Sequence, residues 1–177
     1  MALTKLTSLA VIWAALSAPS EIKPPIPDAV VPMDCLVTVA SAVKIGTDLY
    51  ITAAHVVAGH SCTIYGNAIT DIKTAPDQDF ATFRGPSSPV TAKYTCKGYK
   101  GGEEYLAIGY ADGLPFLSYM PWIASHFHFD DQQAFTGEAI PGMSGGAVID
   151  QSKRVVGIVN RRWPARSIPL KDTSICK

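Results

Sequence analysis

The feature that most constrains this chain is its punctuation. Short apolar, β-prone runs are cut again and again by Gly, Pro, Asp and Asn, and helical periodicity is weak almost throughout. The runs cover residues 36–43, 49–52, 62–65, 80–83, 105–110, 116–123, 123–129, 147–149 and 155–160, and the turn signal Gly46-Thr47-Asp48 follows the first. Many short strands with frequent turn signals point to an all-β barrel or sandwich. One helical turn is expected over residues 53–58. A short C-terminal helix is expected from Ser167 onward, near Pro169.

The chain has 177 residues, enough for one ordinary domain or for two small halves sharing a core. Hydrophobic residues make up 47% and charged residues 17%, a balance unlike that of a disordered protein. Formal net charge is zero, and the densest basic spot is the pair Arg161-Arg162. Nucleic acid is therefore not an expected partner, because phosphate binding needs a concentrated basic face.

The N-terminus reads differently. Lys5 precedes an apolar stretch over residues 6–18, too short for a comfortable membrane span but suited to a secretory signal. Ala18 and Ser20 offer a small-residue cleavage pattern before Glu21, and Ala15-Leu16-Ser17 offers a second. Residues 1–20 are thus expected to be a signal peptide, giving a secreted or periplasmic protein. A membrane association is expected only if that segment stays uncleaved as an anchor; if it is not a signal, a membrane-anchored or cytoplasmic protein is expected instead. Residues 21–34, with Pro24, Pro25 and Pro27, read as an extended proline-rich linker, and residues 35–177 as the domain. Cys35, Cys62, Cys96 and Cys176 allow three complete pairings and have no zinc-like spacing. Export would make one or two disulfides the expected state.

The chemistry concentrates around Ser144, in Pro141-Gly142-Met143-Ser144-Gly145-Gly146 just before an apolar run. Glycines allow a tight backbone conformation and free N–H groups to face a developing oxyanion. The same segment satisfies G-x-S-x-G, the nucleophile elbow of α/β-hydrolases, but that fold places its histidine after the serine. His55, His60, His126 and His128 all precede Ser144, which removes that reading.

The order histidine, acid, serine remains. Ile51-Thr52-Ala53-Ala54-His55, Asp79-Phe80-Ala81-Thr82-Phe83 and Pro141-Gly142-Met143-Ser144-Gly145-Gly146 each resemble a segment of the trypsin-like (chymotrypsin-fold) serine peptidases, compact bacterial or viral type. Together they span residues 36 to about 160. The resemblance implies two packed antiparallel six-stranded β-barrels with a cleft between them, and an endopeptidase that acts on protein or peptide through an acyl-enzyme. It implies His55, Asp79 and Ser144 as catalytic residues, and the N–H groups of Gly142 and Ser144 as the oxyanion hole. Asp77 is the nearest rival for the acid and Asp71 a more distant one. No metal and no organic cofactor is called for.

Departures from the family carry information too. Met143 stands where zymogen-type members carry an Asp that pairs with a new N-terminal amine, and no Ile-Val-x-Gly activation sequence is present. Direct folding into an active form is expected. By the same resemblance, Glu138 and the strand residues Ile158, Val159 and Asn160 are the candidate substrate-binding positions. Arg161 and Arg162 stand close enough to oppose Glu138, so no cleavage preference follows. His126 and His128 alternate in a strand with Asp130 next in phase, which reads as one strand face rather than a metal site. The rival functions are a catalytically silent relative that binds peptides or serves a structural or virion role, and an esterase-like hydrolase on the same fold.

Overall fold

The computed structural model of the chain describes residues 28–36, 38–110, 120–129, 132–136, 139–162 and 165–177, with side chains described except at 120–136 and 161–162. Residues 1–20, read as a signal peptide, lie outside the described residues. So does the first half of the stretch read as linker, residues 21–27.

Two sheets account for nearly all of the regular structure. The N-terminal sheet is built from β1 (Val30–Cys35), β2 (Thr38–Lys44), β3 (Leu49–Thr52), β4 (Thr63–Ile64), β5 (Asn67–Ala68), β6 (Thr70–Thr74) and β7 (Ala81–Arg84). Its strand order is β5-β4-β1-β2-β3-β7-β6. The C-terminal sheet comprises β8 (Glu104–Ile108), β9 (Met120–Phe129), β10 (Gln132–Thr136), β11 (Ala147–Ile149), β12 (Val155–Arg162) and β13 (Ala165–Pro169). It closes as a six-stranded barrel in the order β10-β13-β12-β11-β8-β9. This is the expected all-β, two-barrel architecture, with the first half an open seven-stranded half-barrel rather than a closed six. The only α-helix among the described residues is α1 (Ala54–Val57), a single turn where one was expected.

Strand alternation, offset in β12 by the register shift against β11 between Val148 and Ile149, explains how the halves meet. In β11, Ala147 and Ile149 join the core shared with the N-terminal sheet, while Val148 points into the barrel interior. In β12, Val155 and Ile158 face the shared core, and Val156 and Val159 face the barrel. Both strands are therefore buried on both faces and read as continuous apolar runs. The shared core draws on both halves, including Met33, Ile51, Phe80, Phe83, Ile108 and Ile168.

Several expectations need correction. The domain begins inside the presumed linker, because Val30–Cys35 forms β1 and pairs with β2 along its whole length. Pro32 is accommodated because β4 meets β1 only at Asp34, leaving a neighbour on one side of the proline. The runs 116–123 and 123–129 are not two strands, since Met120–Phe129 is continuous. The segment from Ser167 does not start a helix. Ser167 and Pro169 complete β13, and a single 3-10 turn follows at Leu170–Asp172. The cysteines pair as Cys35–Cys62 and Cys96–Cys176.

Candidate active site

His55 sits on α1, whose entry is fixed from the loop before β7. The Asp79 carbonyl accepts from the Ala54 N–H at 3.1 Å, and Asp79 Oδ1 accepts from the His55 N–H at 2.6 Å. The second carboxylate oxygen, Oδ2, lies 2.5 Å from His55 Nδ1. A carboxylate only accepts, so Nδ1 carries the proton and Nε2 of the neutral ring is left as the acceptor. Val56 and Val57 bury the other side of the turn and pin it to the shared core. The imidazole is half exposed, at 50%, so it is open to a substrate.

Of the other acids considered, Asp77 lines a separate depression with Lys73, Gln78, Asp172 and Lys177. Asp71 lies exposed in β6. Among the described residues, only Asp79 reaches His55.

Ser144 stands on the turn between β10 and β11. Met143 beside it is fully buried in the barrel interior and anchors the turn. Gly142 and Gly145 take φ of +91° and +81°, values that favour glycine. Gly145 also has no room for a side chain, since a Cβ would lie 2.0 Å from Thr52 Oγ1 and 2.2 Å from the Ser41 carbonyl oxygen. The N–H groups of Met143, Gly145 and Gly146 donate to the carbonyls of Ile140, Val159 and Met143. Among the described residues, those of Gly142 and Ser144 donate to none. Ser144 Oγ makes a long hydrogen bond, 3.5 Å, to the Asn160 carbonyl. It makes none to His55.

The three side chains, drawn from both halves, line one open cleft of about 390 Å³ together with Ala139, Ile140, Pro141 and Asn160. Of the proposed substrate-binding residues, Asn160 faces this cleft. Ile158 and Val159 do not, because both are fully buried in the two cores. Glu138 lies outside the described residues. His126 and His128 fall in β9, whose side chains are not described.

The family model of the trypsin-like peptidase domain matches residues 40–158. The chain belongs to this family. No curated protein sequence matches this trypsin-like peptidase chain. Among solved structures, the active form of the Rv3671c protease from M. tuberculosis superposes with a TM-score of 0.68 at 21% identity, covering 96% of this chain and 89% of that one. Deg5 gives 0.71 at 15% identity, covering 82% and 85%. The serine endoprotease from Yersinia pestis gives 0.69 at 18% identity, covering 81% and 59%. At these identities the likeness speaks for the trypsin-like fold alone.

Two further residues support this site although no sequence motif assigns them a role there. Ser41 and Thr52 are buried hydroxyl residues in otherwise apolar strands, and both touch the Ser144 turn. The signal was a lone hydroxyl inside the run Val39-Ala40-Ser41-Ala42-Val43, where a buried polar group must find a partner.

Proposed function

We propose that the chain is a serine endopeptidase in which His55 is the general base, Asp79 its orienting acid and Ser144 the nucleophile. The observation that carries this reading is the meeting of three sequence-distant side chains at one cleft, with His55 Nδ1 on the Asp79 carboxylate. In this mechanism the Ser144 hydroxyl turns from the Asn160 carbonyl towards His55 Nε2 and gives up its proton as Oγ attacks the scissile carbonyl. The carbonyl oxygen gathers negative charge and is held by the N–H groups of Gly142 and Ser144. Each such donor lowers the barrier by roughly 3–4 kcal/mol. The imidazolium, stabilised by Asp79, then protonates the leaving amine. Water repeats the cycle on the acyl-enzyme.

The peptidase folds directly into its active form. Met143 occupies the position before the nucleophile and is buried in the barrel, so no acid is available there to pair with a new N-terminal amine. Export fits the two disulfides and the apolar N-terminal stretch.

A fluorophosphonate probe tests the reading. The parent chain should be labelled and its Ser144→Ala variant should not, with turnover of an unfolded protein substrate falling by roughly 10⁶. A folded parent that takes no label would return the chain to the peptide-binding class. Labelling combined with cleavage of ester but not peptide substrates would make it an esterase.

A further inference from the structure

Ser41 is fully buried on β2, in the half of the molecule that does not carry the nucleophile, yet its polar groups are committed to the nucleophile turn. Its Oγ donates to the Gly142 carbonyl at 2.9 Å, and its N–H donates to the Ser144 carbonyl at 2.9 Å. Oγ also accepts from the Tyr110 N–H at 2.8 Å. That contact takes a lone pair and directs the hydroxyl proton at Gly142. The Ser41 carbonyl in turn accepts from Thr52 Oγ1 at 2.9 Å.

We propose that Ser41 is a positioning residue for the oxyanion site, because its two donors hold the carbonyls of the two residues whose N–H groups would bind the oxyanion. This rests on the peptidase reading above. Gly142, at φ +91°, has other backbone conformations open to it at little cost. Its own geometry therefore does not aim its N–H. Clamping these carbonyls fixes the 142–143 and 144–145 peptide units, which flank the unit carrying the Ser144 N–H on both sides and adjoin the unit carrying the Gly142 N–H, so neither donor is free to swing. A donor displaced by about 1 Å can cost roughly 10²-fold in rate.

The test compares parent and Ser41→Ala chains by the rate, final extent and pH profile of fluorophosphonate labelling, alongside thermal unfolding. Attack on phosphorus builds charge on an oxygen in the oxyanion site, so the rate reads that site. The expected result is a labelling rate down roughly 10²-fold, with final extent, pH midpoint and a cooperative thermal transition retained. A parental rate overturns the proposal. So does a rate loss accompanied by a shifted pH midpoint, which would place the effect on the His55–Asp79 pair. A reduced final extent at an unchanged rate would make Ser41 a fold residue only.

If Ser41→Ala has no thermal transition, Ser41→Cys decides, since it keeps the side-chain shape with a weaker donor. It should label several-fold more slowly than the parent. A parental rate, or a failure to fold, overturns the proposal. A parent that is not labelled at all sinks the peptidase reading first, and this inference with it.

Discussion

The two halves of the molecule hold their share of the site by different means. The N-terminal half is self-contained. Asp79 fixes His55 through its carbonyl and both carboxylate oxygens, and all of these contacts lie within residues 54–79. The C-terminal half holds the Ser144 turn partly from within, through buried Met143 and the Gly145–Val159 hydrogen bond. The rest it borrows from the other half, where Ser41 and Thr52 press against Gly142 and Gly145. The proposed base, His55, is therefore set by local chemistry, and the proposed nucleophile, Ser144, by the contact between sheets. Damage to that contact should reach the nucleophile before it reaches the base.

Asp79→Asn gives the largest expected effect, a loss of about 10⁴ in turnover with folding intact, because an amide can impose the wrong imidazole tautomer. Turnover and thermal unfolding measured together would show it. A loss below tenfold would mean that another group orients His55. Next comes Gly145→Ala, whose methyl has no space against Thr52 and Ser41. It should lose about 3 kcal/mol or more of stability and at least 10²-fold in labelling rate. A variant that keeps parental labelling would break the claim that the halves meet tightly at this turn.

A smaller effect sits at the β11–β12 connection, away from the interface. Asp150 accepts from the Arg154 N–H at 2.9 Å and from its guanidinium at 2.9 and 2.7 Å. Burial pushes this carboxyl up, but the bonds to Arg154 outweigh it and hold it below the usual carboxylate range. A depressed folded-state value stabilises the fold above the unfolded value near 4, and the benefit is lost as pH falls through the lower folded value. Asp150→Asn should therefore lower Tm by about 2–4 °C at neutral pH. The gap from the parent should close as the pH drops below about 4. Labelling should stay unchanged, in contrast to Gly145→Ala, since neither Asp150 nor Arg154 lines the cleft.

What the sequence made legible follows the same division. β3 and β11 were readable to the residue, because each is a short β-prone run that starts directly after a turn signal ending in Asp48 or Gly146. His55, Asp79 and Ser144 were readable because each stands in a compact local motif, and the structure brings all three to one cleft. β6, β10 and β13 escaped notice. Thr70–Thr74 is exposed throughout, Gln132–Thr136 opens with two glutamines, and Ala165–Pro169 carries Arg166 and Ser167, so none shows an apolar run. β1 was hidden by Pro32, which is tolerated through its pairing geometry. The lone hydroxyl of Ser41 signalled a partner but not which one, because its partners on the Ser144 turn lie about a hundred positions away. Local motifs reveal groups that do chemistry. They do not reveal groups that hold those groups from another strand.

The two disulfides divide the backbone into covalent rings. Cys35–Cys62 closes a ring that contains His55, and Cys96–Cys176 closes a larger one that contains Ser144. Asp79 lies on the single thread between them. A backbone cut inside either ring, including one made by the enzyme on itself, leaves every fragment attached and both active groups on one molecule. A cut between residues 62 and 96 leaves His55 and Ser144 on fragments with no covalent bond between them, held only by the shared core and the hydrogen bonds across it. Among single backbone cuts, one in the stretch that carries Asp79 is what breaks the covalent connection between the parts bearing His55 and Ser144.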